Sequence, residues 1–293
     1  MARTSEFTVV IGTDGSAASR AAVAVAASFP WPRGTRLHGV LARGELTKVL
    51  APAAQLELGR ALERVAAQAR RVLARRSPEA EVVFVDAPPA EGILGEARRL
   101  RAAAIVVGAR GLGALSRLLL GSVSRAVVRE ATSAVLVVKG RPRAVRRILI
   151  GLDGSESARR TVAFVARLAP PAGGRVVLVH VLDPVRAPSM GLMPGSVRAA
   201  LGASAASLEA ERRAAARREI AAARRTLESA GWTVAARMPV GIPRVELLAA
   251  ARATGAHTLA VGARGTGGME RLLLGSVAEG TLDRATVPVL MVK

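Results

Sequence analysis

Residues 106 to 139 read VVGARGLGALSRLLLGSVSRAVVREATSAVLVVK, and residues 260 to 293 read AVGARGTGGMERLLLGSVAEGTLDRATVPVLMVK; without a gap, 19 of the 34 positions are identical. The opening segments match as well, VVIGTDGSAASRAA from 9 to 22 against ILIGLDGSESARRT from 148 to 161. A repeat of this length is a duplicated folding unit, and it decides the architecture before any single element is read. The offset between copies is 139 at the opening Asp and 154 at the first closing Gly, so the second copy has gained about 15 residues in between. That extra length is placed in DPVRAPSMGLMPGSVRAALGASA, residues 183 to 205, whose Pro, Gly, Met and small residues predict a long loop. The copies divide at GRPRAVRR, residues 140 to 147, where Gly140 and Pro142 break regular structure, giving expected domains at 1–140 and 146–293.

Within each copy, short aliphatic runs alternate with longer stretches of Ala, Arg and Glu. The predicted strands are FTVVIG, TRLHGVLA, AEVVFVD, AAIVVGA and AVLVVK, then ILIGLD, RVVLVHVLD, TVAARMPV, HTLAVGA and VPVLMVK. Helices are predicted in the first copy near 16 to 28, 55 to 76, 90 to 102 and 121 to 130. Continuous apolar strands separated by helices require burial on both faces, which implies a parallel sheet. Each copy is therefore expected to be a five-stranded, doubly wound α/β domain.

The 293 residues and 30.2 kDa suit two such domains, and 51% hydrophobic with 22% charged residues excludes wholesale disorder. With 2% aromatic residues and no Tyr, the cores are expected to be aliphatic. The absence of Cys removes disulfides, thiolate zinc sites and cysteine nucleophiles. MARTSEF runs directly into an apolar strand and no apolar run reaches the ~20 residues of a membrane span, so a soluble cytoplasmic protein without a secretory signal is expected. The net charge of +21 suggests an acidic partner, but Arg is spread throughout and Lys occurs only at 48, 139 and 293. That pattern reads as a chain-wide preference, and nucleic acid is not favoured; no aromatic is interleaved to stack bases.

Ligands of doubly wound sheets bind beyond the carboxyl ends of the strands. There the first copy has Gly108, Gly111 and Gly113, then Gly121-Ser122 nine residues after Gly111, and the second has Gly262, Gly265, Gly267 and Gly275-Ser276. Glycines at such places make turns or admit a ligand, and Ser122 either caps a helix or joins a helix N-terminus that holds phosphate. Identical spacing in both copies favours a phosphate site in each. No Gly-Lys pair exists, which rejects a Walker A loop, and only GTDGS and GLDGS follow the first strands, which rejects the dinucleotide fingerprint. Asp14 and Asp153 end first strands, where each either caps a helix or accepts from an exocyclic amine. Arg110 and Arg264 either face solvent or reach a phosphate.

Strand-Asp, G-x-x-G, nine residues, G-S and a terminal strand together resemble the universal stress protein family, in its ATP-binding subgroup and as a tandem member. The resemblance covers both copies and implies a Rossmann-like fold of the adenine nucleotide alpha hydrolase type, with ATP, accompanied by Mg²⁺, as cofactor. It places adenine near Asp14, Leu41 and Val107, and phosphates around Gly108, Gly111, Gly121, Ser122, Val123 and Ser124. In the second copy the matching positions are Asp153, Val181, Val261, Gly262, Gly265, Gly275, Ser276 and Val277. Leu41 stands where Val is more usual, and Ala278 replaces Ser124, so equal affinity of the two sites is not implied. The final strands resemble those the family uses to pair domains, implying an internal pseudo-dimer with further self-association open. A stress-linked nucleotide sensor or regulator is the implied role; a slow ATPase or nucleotidyl transferase is the rival.

His38, His180 and His257 show no acidic or Ser partner at a triad spacing and are read as structural. The Arg pairs at 212–213, 217–218 and 224–225 fall on a predicted helix with Glu209 four residues before Arg213, a solvated face. The 183–205 loop, with Met190, Leu192 and Met193, is read as a lid, a partner contact or an inert insertion.

Overall fold

A computed structural model describes residues 7–44, 51–109, 120–140, 143–184, 194–265 and 274–293. The first copy runs β1 (Thr8–Gly12), α1 (Ala17–Ser28), β2 (Arg36–Ala42), α2 (Pro52–Ala74), β3 (Glu81–Val85), α3 (Pro89–Arg99), β4 (Ala104–Gly108), α4 (Ser122–Glu130), β5 (Ala134–Val138). The second runs β6 (Arg147–Leu152), α5 (Glu156–Ala166), β7 (Arg175–His180), α6 (Gly195–Ser229), β8 (Thr233–Arg237), α7 (Pro243–Ala253), β9 (Thr258–Gly262), α8 (Ser276–Arg284), β10 (Val289–Val292). Local chemistry sets the ends: Ser16 and Ser155 cap α1 and α5, proline occupies the first turn of α2, α3 and α7, and Gly231 and Gly255 follow α6 and α7 at positive φ.

The two half-sheets join into one ten-stranded sheet in the order β3-β2-β1-β4-β5-β10-β9-β6-β7-β8. Neighbours are parallel except at the centre, where β10 runs antiparallel to β5 with Val289 opposite Val137, Leu290 opposite Leu136 and Met291 opposite Val135. The join has a clear cause. β5 is AVLVV, buried throughout, and would otherwise leave an apolar edge exposed.

Side chains alternate between the faces. Val9 and Ile11 pack toward α1 and α2 while Val10 packs toward α3 and α4, and the second copy repeats this with Ile148 and Ile150 against Leu149. The strand cores are aliphatic as expected, but four of the six aromatics gather in one place. Trp31 stacks against Phe29 at 4.3 Å and Phe7 at 5.9 Å, and Phe7 lies 6.0 Å from Phe164 of α5. This cluster bridges the copies, supported by a hydrogen bond from Ala169 N–H to Pro30 C=O at 2.8 Å.

One expected element is corrected. The loop predicted over 183–205 ends at Pro194, since α6 is continuous for 35 residues from Gly195. The Ala, Leu and Arg content from 197 onward outweighs the cost of Gly202. The proposed lid residues Met190, Leu192 and Met193 lie outside the described residues. No helix among those described is long and apolar enough to cross a membrane.

Candidate functional site

Strand order reverses beside β1 and beside β6, the place in each half-sheet where doubly wound folds take their ligands. At the end of β6, Asp153 Oδ1 accepts the N–H of Ser155 at 3.0 Å, and Ser155 Oγ caps α5 by accepting from Ala158 N–H at 3.1 Å. Asp14 and Ser16 repeat the pattern, at 2.9 Å to Ser16 N–H and 3.1 Å from Ser19 N–H. Capping is therefore the serine's task and the aspartate tightens the turn. Asp153 Oδ2 is directed at the glycine segment, where a Cβ built on Gly265 would lie 2.9 Å from it.

The glycines divide by role. Cβ atoms at Gly108 and Gly262 would lie 2.6 Å from Ala18 C and 2.3 Å from Ser157 Oγ, so both are required for α1 and α5 to approach the sheet. Gly121 and Gly275 are the N-caps of α4 and α8, each at φ −65° with no side-chain cap. Their own N–H groups bond to Ala109 and Ala263 carbonyls at 2.8 and 2.9 Å. Positive φ is thus not what these glycines supply. A Cβ on Gly275 would sit 3.4 Å from Gly265 N and 3.5 Å from Arg264 Cα, in the space between helix start and glycine segment. Ser122 and Ser276 are first helical residues, so neither is the cap.

In the second copy this space opens into a cleft of about 1490 Å³, ample for a nucleotide. Its lining brings together every residue expected there: Asp153, Val181, Val261, Gly262, Arg264, Gly265, Gly275, Ser276 and Val277. Arg159 and Arg212 join Arg264 on its walls, beside the carboxylates of Asp183, Glu219 and Glu279. The group chemistry fits an anionic, adenine-bearing ligand: uncapped N–H groups, arginines, an aspartate acceptor and the apolar Val181 and Val261.

In the first copy Asp14, Val107, Gly108, Gly121, Ser122 and Val123 take the corresponding places, while Arg110 and Gly111 lie outside the described residues. Two expectations are corrected. Gly12 pairs with Val40 and Gly151 with Val179, so Leu41 corresponds to His180 and the counterpart of Val181 is Ala42. A one-residue slip in strand register turns a side chain to the opposite face, and Leu41 is 1% exposed in the core beneath α1 and α2. Ser124, expected as a phosphate hydroxyl, is buried and donates to the Gly108 carbonyl at 2.6 Å.

Sequence spacing also missed the histidine partners. His38 Nδ1 and Nε2 lie 3.0 and 3.1 Å from Glu81 and Glu96, and His180 Nδ1 lies 2.8 Å from Glu219. His38 and Glu81 are neighbours in strand register, a signal available only once β2 and β3 are paired. Hydrogen bonds from Arg99 hold the Glu96 carboxyl below its ordinary range, burial and then Arg147 push His257 down, and burial followed by Arg264 lowers Lys293. No group of three or more metal-ligating side chains occurs among the described residues.

The sequence model of the Universal stress protein family matches residues 7–139 and again 144–293. A universal stress protein of Mycobacterium tuberculosis is 31% identical over 201 residues, covering 64% of this chain and 61% of that protein. One of Thermus aquaticus is 37% identical over 134 residues, covering 45% of this chain and 98% of that protein. The chain thus spans 61% of the length of the mycobacterial relative. Among solved structures, a universal stress protein from Archaeoglobus fulgidus matches with a TM-score of 0.66 at 21% identity over 98% of both chains. A protein from Pseudomonas aeruginosa matches at 0.61 and 17% identity, over 98% of this chain and 92% of that one. These two likenesses establish the fold, and the doubled family match, on the same repeat that organises the sheet, establishes that the chain belongs to the universal stress protein family with its domain present in tandem.

Proposed function

We propose that the protein binds ATP in the two clefts and acts as a nucleotide-dependent regulator in a stress response. The observation that carries this reading is the uncapped start of α8 at Gly275, facing Arg264 and Gly265 across a cleft that also holds Asp153. Unsatisfied N–H groups and the positive end of a helix dipole attract a phosphate, and arginine adds charge-assisted bonds. Gly265, Gly275, Ser276 and Val277 would hold the phosphates. Asp153 would accept from the adenine amine, with Val181 and Val261 against the ring. In the first cleft Asp14, Val107, Gly121, Ser122 and Val123 would serve the same ends. Mg²⁺ would arrive on the phosphates, keeping most of its waters.

Replacing Gly275 by Val tests the assignment. The new side chain enters the space beside Gly265 N, so one of two ATP equivalents should be lost in equilibrium titration while circular dichroism stays unchanged. Two equivalents bound by the variant would place the phosphates elsewhere.

A further inference from the structure

Two side chains that the copies do not share face each other in the second cleft. His180 ends β7 and lines the cleft; its Nδ1 lies 2.8 Å from Glu219 Oε2 on α6, with the side chains 15% and 16% exposed. Glu219 Oε1 accepts the Gly154 N–H at 2.9 Å. An ionised carboxylate only accepts hydrogen bonds, so a neutral His180 ring that keeps this contact donates its Nδ1–H to Glu219 and presents the Nε2 lone pair as an acceptor. Among the described residues Nε2 has no partner.

The first copy replaces both members together. Leu41 holds the place of His180 by strand register. Val65 holds that of Glu219, since a Cβ on Gly15 would meet Val65 at 2.7 Å where one on Gly154 would meet Glu219 at 4.0 Å. A hydrocarbon pair therefore braces this wall adequately in the same fold. The polar pair costs desolvation and leaves a lone pair on the cleft, a feature packing does not require.

A lone pair at that place repels phosphate oxygens and asks for a donor. The donors of ATP are its amine, already matched to Asp153, and its ribose hydroxyls. We propose that His180 Nε2 accepts a hydrogen bond from a ribose hydroxyl, with Glu219 as its positioning residue, so that the second cleft reads the sugar through a contact the first lacks. This rests on the ATP-binding reading above.

The test is titration of the full chain with ATP and with 2′,3′-dideoxy-ATP. One site should prefer ATP roughly three- to tenfold, the value of one hydrogen bond. Installing the first copy's solution, His180→Leu with Glu219→Val, should erase that preference while ATP still binds both clefts. The reciprocal pair, Leu41→His with Val65→Glu, should create it at the other site and answers the question independently of how the first variant folds. Equal binding of the two nucleotides at both sites of the unsubstituted chain overturns the proposal alone, as does a preference that survives in His180→Leu with Glu219→Val. Failure of ATP itself to bind overturns the underlying reading and this one with it.

Discussion

Lys139 and Lys293, equivalent residues at the ends of β5 and β10, each cap the last helix of the other copy. Lys139 Nζ donates to the carbonyls of Leu282 and Asp283 at the end of α8, the latter at 3.1 Å, and Lys293 Nζ donates to Val128 and Arg129 at 2.6 and 3.3 Å at the end of α4. In a chain whose cations are nearly all Arg, two of the three Lys occupy these places. A compact ammonium with three donors suits a pair of converging carbonyls at the negative end of a helix dipole, where a planar guanidinium does not. We predict that Lys293→Ala costs about 1–2 kcal/mol in urea unfolding and that Lys293→Arg does not restore it.

The same junction carries a charge asymmetry. Arg125 of α4 lies 3.9 Å from Glu279 and 3.8 Å from Asp283 of α8. The offset of 154 makes Arg125 the counterpart of Glu279 and Arg129 that of Asp283, so the repeat has opposite charges at facing positions. Arg125 and Glu279 are about half exposed, and Arg125→Glu should cost only about 0.5–1 kcal/mol, recovered by adding Glu279→Arg and reduced at high salt. A double-mutant cycle showing no coupling at low salt would contradict this.

Glu96 supplies a pH dependence. Arg99 donates to it at 2.7 Å and His38 faces it at 3.1 Å. Its folded-state pKa is lowered, first by the Arg99 hydrogen bonds, so its contribution is present above the unfolded carboxyl value and is lost as pH falls through the folded one. Glu96→Gln should therefore be less stable than the parent near pH 7, by at most about 1 kcal/mol after solvent screening, with the gap closing below about pH 4. A gap that widens on acidification would refute the sign.

Ser124 and Gly108 form a tie between α4 and β4. Ser124→Ala should cost about 1 kcal/mol through the lost bond to the Gly108 carbonyl, with ATP affinity within about twofold of the parent. Gly108→Ala should cost upward of about 3 kcal/mol, because its Cβ would stand 2.6 Å from the backbone of Ala18. Thermal unfolding of the two variants separates the effects.

The fold was legible because unalternating strands such as AVLVV have no stable exposed form, and the repeat allowed each copy to be checked against the other. The joining of half-sheets was implied only by resemblance; burial of β5 on both faces supplies its cause. Where the reading failed, the deciding interaction was long-range. Nothing local distinguishes Leu41 from Ala42 as the counterpart of Val181, since pairing with β1 fixes it, and nothing near His180 announces Glu219, 39 residues onward. The residues expected in the second copy line one cleft because they sit at strand ends and helix starts, where topology dictates position. The start of α6 was missed because Gly, Pro and Ser near 195 carry turn signals that a long helical run overrides.

Equilibrium dialysis of the full chain against ATP and Mg²⁺ tests the central claim most directly. The account predicts saturable binding approaching two nucleotides per chain, lost stepwise in Gly275→Val and then Gly121→Val with Gly275→Val. It also predicts about 2.7 kcal/mol of added stability for each site at a hundredfold excess over its dissociation constant. Retention of no adenine nucleotide by the folded chain would contradict it.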